Sequence, residues 1–198
     1  MNDVHMKLCS SPWWAEHVET KLLPWVIGDV DLGSRLLEVG PGPGLTTDVL
    51  RHRAPRMTAL ELNPTLAASL TSRMAGTNVE VVRGDGTRQP FEDGLFSAAA
   101  SFTMLHHVPT TELQDKLLAE TARVLRAGGV FVGSDSLDSE GFRQLHVDDI
   151  CVPVDPETFP ARLRTAGFKD VAIEVDWRGM RFFARKAADQ RATLTPRE

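Results

Sequence analysis

The chain has 198 residues, of which 42% are hydrophobic and 25% charged; this composition is typical of one globular domain with a buried core and excludes a disordered or fibrous chain. Its formal charge of −5 lacks the basic excess typical of proteins that bind nucleic acids or anionic membranes. We therefore expect neither as a partner, although the segment from Arg51 to Arg56 is locally basic.

Two cysteines, Cys9 and Cys151, lie far apart without a paired spacing. They predict reduced thiols, and neither a disulfide framework nor a zinc site. No apolar run approaches the roughly 20 residues that cross a bilayer, and the N-terminus lacks a signal-like apolar core. A cytoplasmic location is therefore expected.

The first predicted element is an amphipathic helix near the N-terminus. Ser11 is a candidate N-cap, and apolar residues then recur every four positions at Trp14, Val18 and Leu22. Pro24 should bend or end this helix.

Beyond this helix, short apolar runs alternate with helical patterns. The predicted strands are RLLEV, MTALEL, VEVVRG, FSAAASF, VFVGSD, VAIEV and RFFAR. The predicted helices are LTTDVLRHR, Asn63-Pro64 to about Arg73, Thr111 to Arg126 with a Gly128-Gly129 stop, and Asp155-Pro156 to Gly167. This order predicts an α/β fold: a Rossmann-like, doubly wound, seven-stranded and mostly parallel sheet with helices on both faces. The last two strands lack an intervening helix and should form an antiparallel C-terminal hairpin at one edge.

Three segments follow from this pattern. Residues 1–30 would form an N-terminal helical lid, residues 31–186 the main domain, and residues 187–198 a polar, flexible tail.

Three glycines alternate between the first strand and its helix, in LLEVGPGPGLTTDVL. A glycine-rich turn at this position lets the backbone approach a ligand at the carboxyl end of the strand. A dinucleotide-binding turn would need a small residue where Leu45 stands, and a phosphate-binding loop would need a lysine followed by serine or threonine. Another small molecule is therefore expected over Gly40, Gly42 and Gly44.

At this point the chain resembles the class I S-adenosylmethionine-dependent methyltransferases, whose first motif is matched from Leu36 to Gly44. Three further blocks follow in the family's order: Glu61 at the end of MTALE together with Asp85 in RGDG, then FSAAASFTMLHHV, then ARVLRAGGVFVGSD. The resemblance covers roughly residues 36–135. It implies S-adenosylmethionine as cofactor and S-adenosylhomocysteine as product.

The resemblance also implies roles for three acidic residues. Glu61 would hold the ribose hydroxyls and Asp85 the adenine amine, while Glu38, a charge at the end of a buried strand, would receive the ligand ammonium. The alternatives are a helix-flanking charge for Glu61, a turn-forming residue for Asp85 and a structural salt bridge for Glu38. The full predicted cofactor set is Glu38, Gly40, Pro41, Gly42, Gly44, Glu61, Leu62, Gly84, Asp85, Gly86, Ser101 and Phe102.

Methyl transfer chiefly requires the acceptor to be aligned with the methyl group and water to be excluded. Candidate bases are His106 and His107, although the family resemblance suggests a mainly structural role for His107. Trp13, Trp14 and His146 are candidates for lining the acceptor site. Core packing is the alternative for the two tryptophans, and a solvated loop is the favoured interpretation for the segment that contains His146. No metal is predicted, because the histidines and acidic residues lie in different loops without ligand spacing.

The predicted function is methyl transfer to an oxygen, nitrogen or carbon atom of a small organic acceptor, by a monomer or homodimer. The signature of amino-methylating DNA and RNA enzymes is absent at Ser101 to Met104. The alternative is a non-catalytic S-adenosylmethionine-binding sensor or assembly module. Leu45 and Asp85 oppose a third possibility, a nicotinamide-dependent dehydrogenase.

Overall fold

A computed structural model describes residues 2–188; the predicted polar tail lies, from residue 189 onward, outside the described residues. The elements in chain order are α1 (Asp3–Cys9), α2 (Pro12–His17), a π-helical turn (Val18–Leu22), α3 (Leu23–Ile27), β1 (Arg35–Val39), α4 (Leu45–Leu50), β2 (Arg56–Glu61), α5 (Pro64–Arg73), β3 (Val79–Arg83), β4 (Phe96–Phe102), a 3₁₀ turn (Leu105–His107), α6 (Thr111–Val124), β5 (Leu125–Asp135), α7 (Glu140–Leu145), α8 (Phe159–Thr165), β6 (Phe168–Asp176) and β7 (Gly179–Lys186).

The seven strands form one sheet in the order β3-β2-β1-β4-β5-β7-β6. The first five strands are parallel, whereas β7 runs antiparallel to both β5 and β6. The predicted fold class and its C-terminal hairpin are therefore confirmed. Leu36 and Leu37 of β1 are both fully buried and belong to the cores on opposite faces of the sheet, as expected for a central strand covered on both sides.

The N-terminal helix begins as predicted. The Ser11 hydroxyl accepts a 3.1 Å hydrogen bond from the Trp14 amide and caps α2. Near Pro24, where a bend or an end of the helix is predicted, the helical path passes through the π-helical turn into α3 and ends at Ile27. Proline has no amide proton to donate to the preceding turn, and a wider π-helical turn accommodates that loss.

The transition from α6 to β5 differs from the prediction. The helix ends at Val124, and Leu125 already pairs with Phe96 of β4, so sheet pairing ends the helix before the glycine pair. Two other differences lie further along: α7 was not predicted, and α8 begins at Phe159 instead of Asp155-Pro156.

Two further findings concern membrane-spanning helices and the cysteines. No helix within residues 2–188 combines the length and the apolar character needed to cross a membrane. Cys9 and Cys151 are both free thiols.

The carboxyl ends of β1, β2, β3, β4 and β5 meet at one edge of the sheet, which is where ligands bind in open α/β folds.

Candidate active site

The glycine loop joins β1 to α4 at this edge. Gly40, Gly42 and Gly44 have φ angles of 72°, 56° and 82°, in the left-handed region that favours glycine. A Cβ atom on Gly40 would overlap the Met104 side chain, and one on Gly44 would overlap Leu70. Backbone conformation therefore favours glycine at all three positions, and packing within the fold also requires it at Gly40 and Gly44, independently of any ligand.

Glu38 lies at the end of β1 with 1% of its surface exposed. The hydroxyls of Thr46 and Thr47 both donate to its carboxylate, the second over 2.6 Å. Burial raises the pKa of Glu38 from 4.5 to about 7, against the opposing effect of these two hydrogen bonds. No basic side chain of residues 2–188 forms an ion pair with Glu38, so the alternative of a structural salt bridge finds no support there.

Glu61, at the end of β2, is 6% exposed. Its two carboxylate oxygens accept hydrogen bonds from different amides: Oε2 from Gly42 at 2.9 Å and Oε1 from Asn63 at 2.7 Å. This carboxylate is thus fixed beside the glycine loop. Each oxygen retains a lone pair that could accept a hydrogen bond from a ligand hydroxyl.

Asp85 follows β3, the neighbour of β2 in the sheet. Its Oδ1 atom accepts from the amide and the hydroxyl of Thr87, at 2.8 and 2.9 Å, so the residue also forms a local turn. The Gly84 amide donates to the Glu61 carbonyl over 3.0 Å. The structure therefore places Glu61 and Asp85 at the ends of the adjacent strands β2 and β3. The exposed Leu62 follows Glu61.

The end of β4 combines burial with backbone strain. Ser101 and Phe102 are buried, and the Ser101 hydroxyl has no hydrogen-bond partner within residues 2–188. Thr103 has a φ of 47°, which is unusual for a β-branched residue. Strained residues of this kind collect at functional sites.

Four histidines meet just beyond this strand. His106 and His107 lie in the 3₁₀ turn, His5 lies in α1, and His146 follows α7. One ring nitrogen from each lies within 4.8 Å of the others, and we call this group the histidine cluster. The prediction of no metal relied on the histidines and acidic residues lying in different loops; the structure shows that three distant segments converge here. His146 is only 4% exposed, so the favoured interpretation of a solvated loop is wrong for this residue.

Three of these rings are oriented by groups that accept hydrogen bonds. Their Nδ1 atoms face Asp135 at 2.5 Å for His106, the Ile150 carbonyl at 3.2 Å for His107, and the Phe142 carbonyl at 2.7 Å for His146. The Nε2 atoms of these three rings, and Nδ1 of His5, have no partner within residues 2–188.

Burial also affects the charge of the cluster. Burial, with a smaller contribution from the neighbouring histidines, lowers the pKa of His5 to about 4 and that of His107 to about 3. Both rings are therefore neutral at pH 7.

Trp13 and Trp14 form a separate aromatic group with His17. The ring of His17 stacks on both, with centroids 5.6 and 5.1 Å away. Trp13 is 61% exposed, whereas Trp14 packs against the core that includes Val18. Of the predicted acceptor-lining residues, His146 thus joins His106 and His107, while the two tryptophans contact one another and His17.

Sequence reasoning missed several residues of this region. They are His5, Thr46, Thr47, Met104 and Asp135. The two threonines carried a usable signal, since hydroxyls in the first turn of the helix that follows a buried strand lie close to a carboxylate at the end of that strand. His5 carried none, because it lies 101 positions before His106 in the sequence.

Comparison with known proteins identifies the part of the chain that is similar to a known family. Residues 37–133 match the family model described as a methyltransferase domain. A fatty-acid O-methyltransferase of Mycolicibacterium smegmatis is 36% identical over 106 residues, covering 52% of this chain and 38% of that protein. A solved phosphoethanolamine N-methyltransferase 2 of Haemonchus contortus, in complex with S-adenosyl-L-methionine, shares the fold with a TM-score of 0.69 and 15% identity, covering 96% of this chain and 61% of that chain.

The comparisons correct one prediction. A Haloarcula marismortui protein named as a ribosomal RNA small subunit methyltransferase A is 37% identical over 101 residues, covering 49% of this chain and 34% of that protein. Other relatives carry rRNA methyltransferase names as well. The prediction that excluded nucleic acid as a partner is therefore wrong, because net charge describes the whole chain and not a local surface such as the segment from Arg51 to Arg56. The chain spans little more than a third of the length of these first curated relatives.

Proposed function

Since residues 37–133 belong to the class I S-adenosylmethionine-dependent methyltransferases, we propose that this protein transfers the methyl group of S-adenosylmethionine to a small organic acceptor. The methyl group leaves the sulfonium sulfur and bonds to an oxygen, nitrogen or carbon atom of the acceptor. S-adenosylhomocysteine is released, and the acceptor loses a proton when its nucleophilic atom carried one.

The observation that carries the proposal is the environment of Glu61. Its buried carboxylate is held by the Gly42 and Asn63 amides, and its free lone pairs suit two adjacent hydroxyls of a ribose. We assign Glu61 to the ribose and Asp85 to the adenine amine. Leu62, with 66% of its surface exposed at the same edge, would cover the adenine ring.

Glu38 would serve the methionine end of the cofactor. Its carboxyl group lies at the end of β1, beneath the glycine loop, and has no basic partner within residues 2–188. A bound ammonium group would favour the ionised carboxylate, either directly or through a water molecule. Phe102 and the carbonyl of Ser101 would complete this end of the site.

A small organic acceptor is favoured by the relative named as a fatty-acid O-methyltransferase, which matches a larger share of this chain than the relative named as an rRNA enzyme. The N-terminal segment with Trp13 and Trp14 would enclose the acceptor. A cytoplasmic location is proposed with it, supported by the two free thiols.

The alternative function is a non-catalytic S-adenosylmethionine sensor. Such a sensor should bind S-adenosylmethionine as the enzyme would, but it should not transfer the methyl group. Calorimetric titration with S-adenosylmethionine and, in parallel, with NAD tests the cofactor. Incubation with phenols, amines, carbon acids, fatty acids and ribosomal RNA, followed by mass spectrometry of each acceptor, tests the reaction. Binding without methylation of any acceptor would favour the sensor, and methylation of RNA alone would overturn the small acceptor.

The Glu61→Ala variant tests the cofactor assignment directly. Losing a buried, paired acceptor should weaken S-adenosylmethionine binding by more than about 1 kcal/mol, or about fivefold. Glu80→Ala, which removes an exposed carboxylate from the adjacent strand β3, is the matched control and should bind with wild-type affinity. Equal affinities for both variants would remove Glu61 from the site.

A further inference from the structure

The histidine cluster has an unusual hydrogen-bonding problem. A carbonyl or carboxylate oxygen can only accept, so the Nδ1 atoms of His106, His107 and His146 must carry the protons of their rings. Their Nε2 atoms then present lone pairs in the same small volume, and no donor from residues 2–188 reaches them. Buried polar atoms are rarely left in this state.

A metal ion resolves this problem. Neutral imidazoles with a proton on one nitrogen and a free lone pair on the other are the form in which histidine binds metals. The second-shell arrangement fits as well, because metal-bound histidines almost always donate their other N–H to a carboxylate or a backbone carbonyl. Asp135 supplies the carboxylate here, and Ile150 and Phe142 supply the carbonyls.

We propose that His5, His106, His107 and His146 bind one divalent transition-metal ion of the zinc type. Imidazole nitrogen suits zinc and its neighbours in the first transition row, whereas magnesium and calcium prefer oxygen. Four ligands around zinc at about 2.0–2.1 Å leave their nitrogens about 3.3 Å apart. In the structure the four ring nitrogens lie within 4.8 Å of one another, so the rings need to move only slightly closer together to bind the ion.

The ion would fasten three segments of the chain together. His5 brings α1, His106 and His107 bring the exit from β4, and His146 brings the end of α7. The helix α1 is already docked at this place, because the Asn2 side chain donates to the carbonyls of Leu145 and Val147 at 2.9 and 3.0 Å. A closed set of four protein ligands is typical of structural sites. The metal's role is therefore to hold the N-terminal segment against the main domain, beside the region where the acceptor would bind.

The test begins with chelator-stripped protein, titrated separately with Zn²⁺, Co²⁺ and Mg²⁺. We expect one Zn²⁺ or Co²⁺ per chain and no binding of Mg²⁺. Bound Co²⁺ should give the intense visible bands of a tetrahedral site without a thiolate charge-transfer band. Zn²⁺ at about 100 times its dissociation constant should raise the Tm by about 5–10 °C.

Matched variants identify the ligands. His5→Gln and His146→Gln should each weaken Co²⁺ binding by at least about 100-fold, whereas Asp135→Asn should weaken it by about 10- to 100-fold. His52→Gln, at an exposed histidine outside the cluster, should bind like the wild type. His5 lies in a short terminal helix, so its variant should keep the main fold, which far-ultraviolet circular dichroism checks.

Two results would overturn the site: no stoichiometric Zn²⁺ or Co²⁺ binding by the wild type, or binding unchanged by both His5→Gln and His146→Gln. Water or protons would then satisfy the cluster, and the His106 and Asp135 pair would remain a candidate general base. S-adenosylmethionine binding is measured on the same preparations. Metal binding without cofactor binding would refute the proposed function alone, and cofactor binding without metal binding would refute the metal site alone.

Discussion

Glu38 carries its carboxyl group in the interior, and its ionisation should make stability depend on pH. Its pKa of about 7 in the folded protein lies above the ordinary value of 4.5, so the folded state binds the proton more tightly than the unfolded chain does. The stability from this group is therefore complete below about pH 4.5 and is lost as the pH rises to 7. The loss amounts to about 3 kcal/mol as an order of magnitude.

The Glu38→Gln variant, which stays neutral, should lose this dependence. Urea unfolding of wild type and variant at pH 5 and pH 8 measures it: the variant should gain stability relative to the wild type by up to about 3 kcal/mol on going to pH 8. Glu80→Gln serves as the control at an exposed position. Parallel pH profiles for wild type and Glu38→Gln would show that the buried carboxyl is not the titrating group.

The glycine loop shows where residue-level inference from sequence was incomplete. The pattern Gly40, Gly42, Gly44 correctly predicted a tight turn between β1 and α4. The stated reason, space for a ligand, could not reveal that Met104 packs on Gly40. Such a contact joins residues 64 positions apart in the sequence, and no local pattern encodes it.

At the scale of elements, α5 links the stability of a helix to the candidate cofactor site. The Asn63 side chain caps this helix by accepting from the amides of Thr65 and Leu66 at 2.9 and 3.2 Å. Its own backbone amide donates to Glu61. The Asn63 side chain therefore stabilises the helix, whereas its backbone amide holds the Glu61 carboxylate in place.

The Asn63→Ala variant should separate these two roles. Loss of the cap should lower the free energy of unfolding by about 1 kcal/mol, as measured by urea denaturation. S-adenosylmethionine affinity should stay within about twofold of wild type, because the backbone amide that holds Glu61 is retained. An affinity loss as large as that of Glu61→Ala would mean that the helix cap itself positions the carboxylate.

Elements with strong local signals were predictable, and elements decided by tertiary pairing were not. The strand β4 and the helix α5 have the predicted bounds, since one is a run of small and apolar residues and the other has an Asn-Pro start. The end of α6 was misplaced because Leu125 pairs with Phe96 in the sheet. The helix α7 has six residues and none of them is buried, so it lacks the apolar periodicity on which prediction depends.

At the scale of the whole molecule, the candidate site is assembled from segments that are distant in sequence. The predicted cofactor-binding positions lie at or just beyond the ends of β1, β2, β3 and β4, in the order that the resemblance implies. The histidine cluster combines positions 5, 106, 107 and 146, and His5, unlike the other three, gave no sign of proximity before the fold was known. Topology, rather than spacing, brings them together at the end of β4.

The acceptor class should appear in the salt dependence of the whole reaction. A complex with RNA that uses six or more phosphate contacts would lose about a thousandfold in affinity between 50 and 200 mM salt, because bound counterions are released. An uncharged small acceptor gains nothing from such contacts, so kcat/KM should change by less than about twofold over this range.

The double variant Arg51→Gln/Arg56→Gln, in the locally basic segment, also distinguishes an RNA acceptor from an uncharged small acceptor. Its charge loss should leave the methylation of an uncharged acceptor unchanged, since screened surface charges contribute little to the encounter with a neutral molecule. For an RNA acceptor, removing two potential phosphate contacts would weaken binding at low salt and flatten the salt dependence. Steep salt dependence in the wild type, reduced in this variant, would therefore assign the acceptor to RNA and refute the small-molecule proposal without affecting the cofactor assignment.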